Sequence, residues 1–170
     1  YSCSEMLASV DIENFRCINS AHLEFDSQGT GIVGPNASGK TTLLEAIYFL
    51  GHGRSFRSSN RDQLIGPQSE QLRVVGQTRT ELRGTLTVGM ELASNHATGR
   101  IDGRPASSLY EIASVLPIGI IDPSVHRLIE EGSVRRRRLL DWGVFHVERG
   151  FMNPWRRYQR ALMQRNAALR

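Results

Sequence analysis

The chain has 170 residues, 39 % of them hydrophobic, and a formal net charge of +4, which is the composition of an ordinary globular chain with one full core or two small lobes. No apolar run approaches the roughly 20 residues of a membrane span, and the N-terminus has no signal-peptide hydrophobic region, so no membrane role and a cytoplasmic location are expected. Cys3 and Cys17 lack metal-ligand spacing and are too few for a disulfide framework, so both read as free thiols.

The first elements read as strands. Met6 is a candidate start, with Tyr1 to Glu5 as an upstream extension. Over residues 7–14, Leu7, Ser9, Asp11 and Glu13 alternate with Ala8, Val10 and Ile12, the pattern of a strand with one wet face. Residues 21–25 repeat it with Leu23 and Phe25. Thr30-Gly31-Ile32-Val33 is expected to be a short buried strand.

The strongest signal follows. Gly34-Pro35-Asn36-Ala37-Ser38-Gly39-Lys40-Thr41 is a complete G-x-x-x-x-G-K-T loop, and Lys40 is the chain's single lysine among 21 basic residues. Such a loop cradles phosphates with its main-chain amides, places them at a helix N-terminus, reaches the β- and γ-phosphates with the lysine ammonium and offers the threonine hydroxyl to Mg²⁺. The expected nucleotide-binding set is therefore Gly34, Pro35, Asn36, Ala37, Ser38, Gly39, Lys40, Thr41 and Thr42, with Thr41 on the metal; no catalytic residue is assigned. Leu43, Leu44, Ile47 and Leu50 recur at helical spacing, which predicts a helix over about 39–50 that stops at Gly51.

Beyond it, apolar segments around 72–76, 86–92 and 99–101 predict a mostly antiparallel sheet, with Asp102-Gly103 as a tight hairpin turn. Ser108-x-x-Glu111 forms a capping box for a helix to about Leu116, ended by Pro117. Ile118 to Ile121 reads as a buried strand. Asp122-Pro123, Ser133-Val134 and Asn153-Pro154 read as helix entries, so the chain turns from β to α near residue 123. Charge divides at a similar place: residues 133–170 hold ten arginines against Asp141 and Glu148, a local +8 that leaves −4 for the rest. The last helix, from about Pro154, sets Trp155, Tyr158, Leu162, Arg165 and Leu169 on one face, with Arg156, Arg157, Arg160 and Gln164 around it.

A lone lysine in the phosphate loop leaves no asparagine-lysine-x-aspartate element for reading guanine, which argues against a GTPase. Two readings with a working nucleotide site remain open. In one, Asp122 after Ile118-Gly119-Ile120-Ile121 is the Mg²⁺ carboxylate of a self-contained P-loop kinase or NTP hydrolase, although Pro123 makes Asp122 a natural helix N-cap. In the other, the second half of the active site lies beyond residue 170. Two strands before the loop, an antiparallel lobe after it and a turn into helices describe an α/β, P-loop ABC-type ATPase head. Its ATP-binding lobe would be 1–122, with 123–170 the start of a helical lobe whose remainder is missing. An architectural DNA-binding domain with a vestigial nucleotide loop is a third possibility.

Ile12-Glu13-Asn14-Phe15-Arg16, then Gly34 to Thr42 with Leu44-Glu45-Ala46-Ile47, resembles the structural-maintenance-of-chromosomes and Rad50 class. Gly51-His52-Gly53-Arg54-Ser55-Phe56-Arg57, Arg136-Arg137-x-Leu139-Leu140-Asp141-Trp142 and Gln164-Arg165-Asn166-Ala167-Ala168-Leu169 resemble, more narrowly, the RecF family of bacterial recombination mediators. The resemblance implies ATP and Mg²⁺ as cofactors, a head-to-tail homodimer formed on ATP, DNA (single-stranded, duplex or junction) as ligand, and mediator proteins of the RecR and RecO type as partners. It implies roles in DNA repair, replication recovery and the SOS response. The serine-rich signature loop, the Mg²⁺ aspartate and the catalytic glutamate would lie outside these residues, so this segment alone is expected to bind ATP and not hydrolyse it. Arg54 and Arg57 could touch nucleotide or DNA, or pair with a nearby carboxylate. Arg156, Arg157 and Arg160 are the better candidates for phosphate-backbone contacts. Trp142, Phe145, Phe151 and Trp155 read as core.

Overall fold

A computed structural model describes residues 6–80, 84–94, 96–121, 133–148 and 150–169. Cys3, the Asp122-Pro123 helix entry and the side chains of Arg135 and Arg138 lie outside the described residues. The chain forms two compact units, residues 1–120 and 121–170.

The first unit is built on β1 (Met6–Phe15), β2 (Ile18–Glu24), β3 (Gln71–Thr80), β4 (Gly84–Ala93), β5 (His96–Ile101) and β6 (Arg104–Pro105). They form one sheet in the order β2-β1-β3-β4-β5-β6, and every pairing is antiparallel. Period-two alternation explains which side is covered. Ile12, Val74 and Met90 share one register row and are buried, as are Val10, Leu72, Val88 and Leu92. The intervening Asp11 and Arg73 face solvent. Two helices, α1 (Lys40–His52) and α2 (Leu109–Val115), close the apolar face. Leu43, Ala46, Phe49 and Leu50 of α1 and Ile112 of α2 complete the core, and Phe49 meets Phe15 at a centroid distance of 5.8 Å. Each large side chain so buried contributes about 1.5–3 kcal/mol.

The alternation slips at one place. A register shift between Leu7 and Ser9 turns Leu7 off the wet face and onto the core side. There its Cδ1 lies 2.8 Å, and Leu50 Cδ2 2.6 Å, from where a Cβ on Gly76 would be. Gly76 therefore provides the close approach of helix and strand at this point.

Helix α1 outruns its expected end. Gly51 lies inside it, and Gly53, with φ 62°, is the C-cap whose amide donates to Phe49 O. A Cβ on Gly51 would meet Ile118 at 3.0–3.2 Å, so this glycine admits a neighbour rather than stopping the helix. The Asp102-Gly103 turn forms as expected, with φ of 47° and 77° at two residues joining β5 to β6. Helix α2 starts after Ser108, but Ser108 makes no side-chain cap. Glu111 instead accepts from the amide and hydroxyl of Ser107, one residue earlier than the capping box requires. These two bonds hold the Glu111 carboxyl below its usual range.

Two expected strands do not form. Thr30 to Val33 and Ile118 to Ile121 lie outside any strand, and Val33 and Ile121 are 92 % and 89 % exposed. Both have strand composition, but a strand exists only against a neighbour whose amides and carbonyls pair with it, and no described segment pairs with either.

The second unit contains α3 (Ser133–Val147) and α4 (Met152–Ala168). Trp155 Nε1 donates to Asp141 Oδ2 at 3.0 Å, tying the two helices. Trp142 and Phe145 both meet His146 edge-on, and partial burial lowers the His146 pKa. No residue of α4 is fully buried. Its half-buried stripe is Met152, Trp155, Gln159 and Leu162, whereas Tyr158 and Leu169 are exposed. Trp142, expected in a core, is 41 % exposed.

Candidate functional site

The phosphate loop connects the segment after β2 to the first residue of α1. Its path is set by two residues with positive φ, Ala37 at 64° and Gly39 at 92°, flanking Ser38, whose amide donates to Pro35 O at 3.3 Å. Ser38 folds back so closely that a Cβ on Gly34 would lie 3.0 Å from its Oγ. Gly34 is thus required by contact and Gly39 by conformation. Ala37 adopts the left-handed region without that freedom, a local strain of about 1 kcal/mol or more.

The Lys40 ammonium closes this turn. Its Nζ donates to Gly34 O at 2.7 Å and to Pro35 O at 2.6 Å, so the charge sits at the mouth of the loop. Gly39 is the N-cap of α1 and provides no side-chain cap. The first-turn amides therefore point out of the helix with no internal acceptor, and the helix dipole adds positive potential there. Ammonium, outward amides and dipole converge on one small region, the chemistry of a polyphosphate cradle.

The two threonines after Lys40 divide. Thr41 is exposed, so its hydroxyl is available at the helix start. Thr42 is buried and its Oγ1 accepts from Cys17 Sγ at 3.7 Å, which leaves its amide as the group it offers. The donors present fit a nucleotide's phosphate chain. Toward Mg²⁺ they supply the Thr41 hydroxyl, and among the described residues no cluster of three His, Cys, Asp or Glu forms a metal site. Asp122 lies outside the described residues.

Behind the loop is an ion-pair cluster whose role was not legible. Glu45, one turn into α1, has no exposed surface. Arg16, at the β1–β2 turn, grips it with both arms, Nε to Oε2 and Nη2 to Oε1 at 2.7 Å each. Ser55 Oγ also donates to Glu45 Oε1, and Arg57 Nη1 lies 3.5 Å from Oε2. A buried carboxylate is tolerated because its oxygens are paired and hydrogen-bonded. Arg57 is thus set against a carboxylate, the third of the alternatives open for it. The signal in sequence was Glu45's spacing: Thr42, Glu45 and Phe49 fall on one buried stripe.

Arg54 is exposed on the loop after α1, and Arg156, Arg157 and Arg160 are exposed on α4. The last three belong to the second unit, while the phosphate loop belongs to the first.

Comparison with known proteins agrees with this architecture. Residues 9–137 match the family model described as an AAA domain. The chain is 43 % identical over 159 residues to the DNA replication and repair protein RecF of Hydrogenovibrio crunogenus, covering 94 % of this chain and 44 % of the relative. It is 39 % identical over 165 residues to RecF of Aliivibrio fischeri, covering 96 % and 46 %. It therefore spans about half the length of the curated relatives it matches. A solved structure of the recombination mediator protein RecF with ATP superposes with a TM-score of 0.80 at 30 % identity, over 98 % of this chain and 45 % of that one. A structure from work on ATP-driven dimerization of SMC ATPases shares the fold at a TM-score of 0.66 and 21 % identity, over 80 % of this chain and 98 % of that one. The fold is accordingly the α/β N-terminal lobe of an ABC-type ATPase head. The chain belongs to the AAA domain family, and over nearly its whole length it is similar to RecF proteins.

Proposed function

We propose that this chain is the nucleotide-binding part of an ATP-dependent DNA-binding protein of recombinational repair, replication recovery and SOS induction. The observation that carries the reading is the convergence of the Lys40 ammonium, held by Gly34 O and Pro35 O, with the uncapped first turn of α1. ATP would lie on Gly34 to Thr42, its β- and γ-phosphates replacing the two carbonyls as partners of Lys40. The Thr41 hydroxyl would hold Mg²⁺, which supplies charge neutralisation on the phosphate oxygens. The names of the RecF relatives support the repair role, and the RecF-ATP structure supports ATP as ligand.

A head-to-tail homodimer driven by ATP, mediator partners of the RecR and RecO type and a cytoplasmic location belong to the same reading. Among the described residues no helix is long and apolar enough to cross a membrane. DNA would be held through its phosphates by Arg156, Arg157 and Arg160 on α4, with Arg54 as a further contact.

Lys40→Ala in the full-length protein tests this. The variant should lose binding of a fluorescent ATP analogue and ATP-driven dimerisation, both followed by sedimentation and anisotropy. Undiminished nucleotide binding would remove the reading. ATP turnover by residues 1–170 alone, lost in Asp122→Asn, would replace it with a self-contained hydrolase or kinase.

A further inference from the structure

The segment after α1 folds into a concave loop lined by Arg54 to Ser59 and Arg61, with a cavity of about 390 Å³. Its first turn is held by one hydroxyl. Ser55 Oγ accepts from the amide of Arg57 at 2.8 Å and of Ser58 at 3.0 Å, and donates its own proton to Glu45. That closes residues 55–58 into a tight ring pinned to the side of α1. Glu45 therefore fixes the loop from the same helix whose first turn carries Lys40.

Charge around the cavity is unbalanced. Among the described residues neither Arg54 nor Arg61 meets a carboxylate, and Arg57 has only the long contact to Glu45, which Arg16 already satisfies. Glu45 is a single negative charge shared by two arginines. With Arg54 and Arg61 added, the region carries an excess of positive charge in a concave, hydroxyl-lined surface. Guanidinium groups arranged so recognise phosphate oxyanions with bidentate geometry.

We propose that Glu45 is a positioning residue that, through Ser55, shapes residues 54–61 into a second oxyanion pocket, separate from the phosphate loop, which takes phosphates of the DNA backbone. This rests on the DNA-binding reading above and adds the site and its organiser.

The test uses the full-length protein with ATP and a labelled duplex. Amide hydrogen exchange with and without duplex is read at residues 56–61, and DNA affinity is measured against salt. Duplex should slow exchange there. Arg54→Gln with Arg61→Gln should weaken DNA binding about tenfold and reduce the salt slope by about two. Ser55→Ala, which removes no charge, should weaken it about threefold, and Ser55→Thr should restore it. All should bind the fluorescent ATP analogue within twofold of wild type. Glu45→Ala, which removes the acceptor, should behave as Ser55→Ala; because it also breaks the Arg16 pair, the serine variants decide if it does not fold. No slowing of exchange at 56–61 overturns the proposal: duplex bound elsewhere leaves the DNA-binding reading intact, and no duplex binding removes both. Loss of ATP-analogue affinity in the arginine variants with DNA affinity unchanged also overturns it, since the pocket would then serve the nucleotide's own phosphates.

Discussion

Replacing Gly51 by alanine separates two opposite effects of known size. In an unconstrained helix interior, glycine to alanine stabilises by about 0.8–1.0 kcal/mol. At Gly51 the new Cβ would lie 3.0 Å from Ile118 Cδ1 and 3.2 Å from its Cβ and Cγ1. Cδ1 can swing away, but Cβ is fixed to the backbone, so helix and segment must part by a few tenths of an ångström. Overpacking of this kind costs about 1–3 kcal/mol, and taking the middle of that range against the helix gain leaves a net loss of about 1 kcal/mol. The readout is amide exchange along α1, which should speed by about fivefold. Combining Gly51→Ala with Ile118→Gly, which removes the fixed Cβ, should show a favourable coupling of about 1 kcal/mol. If Gly51→Ala instead slows exchange as an ordinary helical glycine would, the close packing on Ile118 is wrong.

Thr78 is fully buried with its hydroxyl unpartnered among the described residues, so Thr78→Val should stabilise by about 1–3 kcal/mol, seen as a higher urea midpoint at unchanged slope; a lower midpoint would show that the hydroxyl has a partner. His22 bonds Asp11 at 2.6 Å, which raises its pKa above 6.5; the β1–β2 pairing it supports is complete below that value and weakens as pH rises through the folded pKa. Its proton NMR titration should shift down in Asp11→Asn, and an unmoved midpoint would refute the contact. Replacing Arg156, Arg157 and Arg160 together by glutamine should weaken DNA binding across all sequences and lower the salt slope by about three; an unchanged slope would move the DNA contacts elsewhere.

What the sequence revealed depended on how local the cause was. The phosphate loop, the helix after it and the Asp102-Gly103 turn are set by residues within a few positions of one another, and their chemistry is written in order along the chain. Val33 and Ile121 read as strand because they are apolar and branched, yet pairing belongs to two segments at once, and composition reports only one. Gly51 has the residue type of a terminator, but its reason is Ile118, 67 positions away. Arg16 and Glu45, separated by 29, were visible as residues and silent as a pair. Leu7 changed faces because one irregular step at Ala8 inverted the alternation before it.

The grip of Gly34 O and Pro35 O on the lone ammonium makes ligand capture an exchange and not an addition. A visiting anion must outbid two carbonyl dipoles that are already in place and lose no entropy by staying. A small anion meets only part of the cradle at a time, whereas a chain of linked phosphates spans the amides and the lysine together. The loop thereby filters its visitors by how many oxyanions they bring at once, with no side chain dedicated to rejecting the small ones.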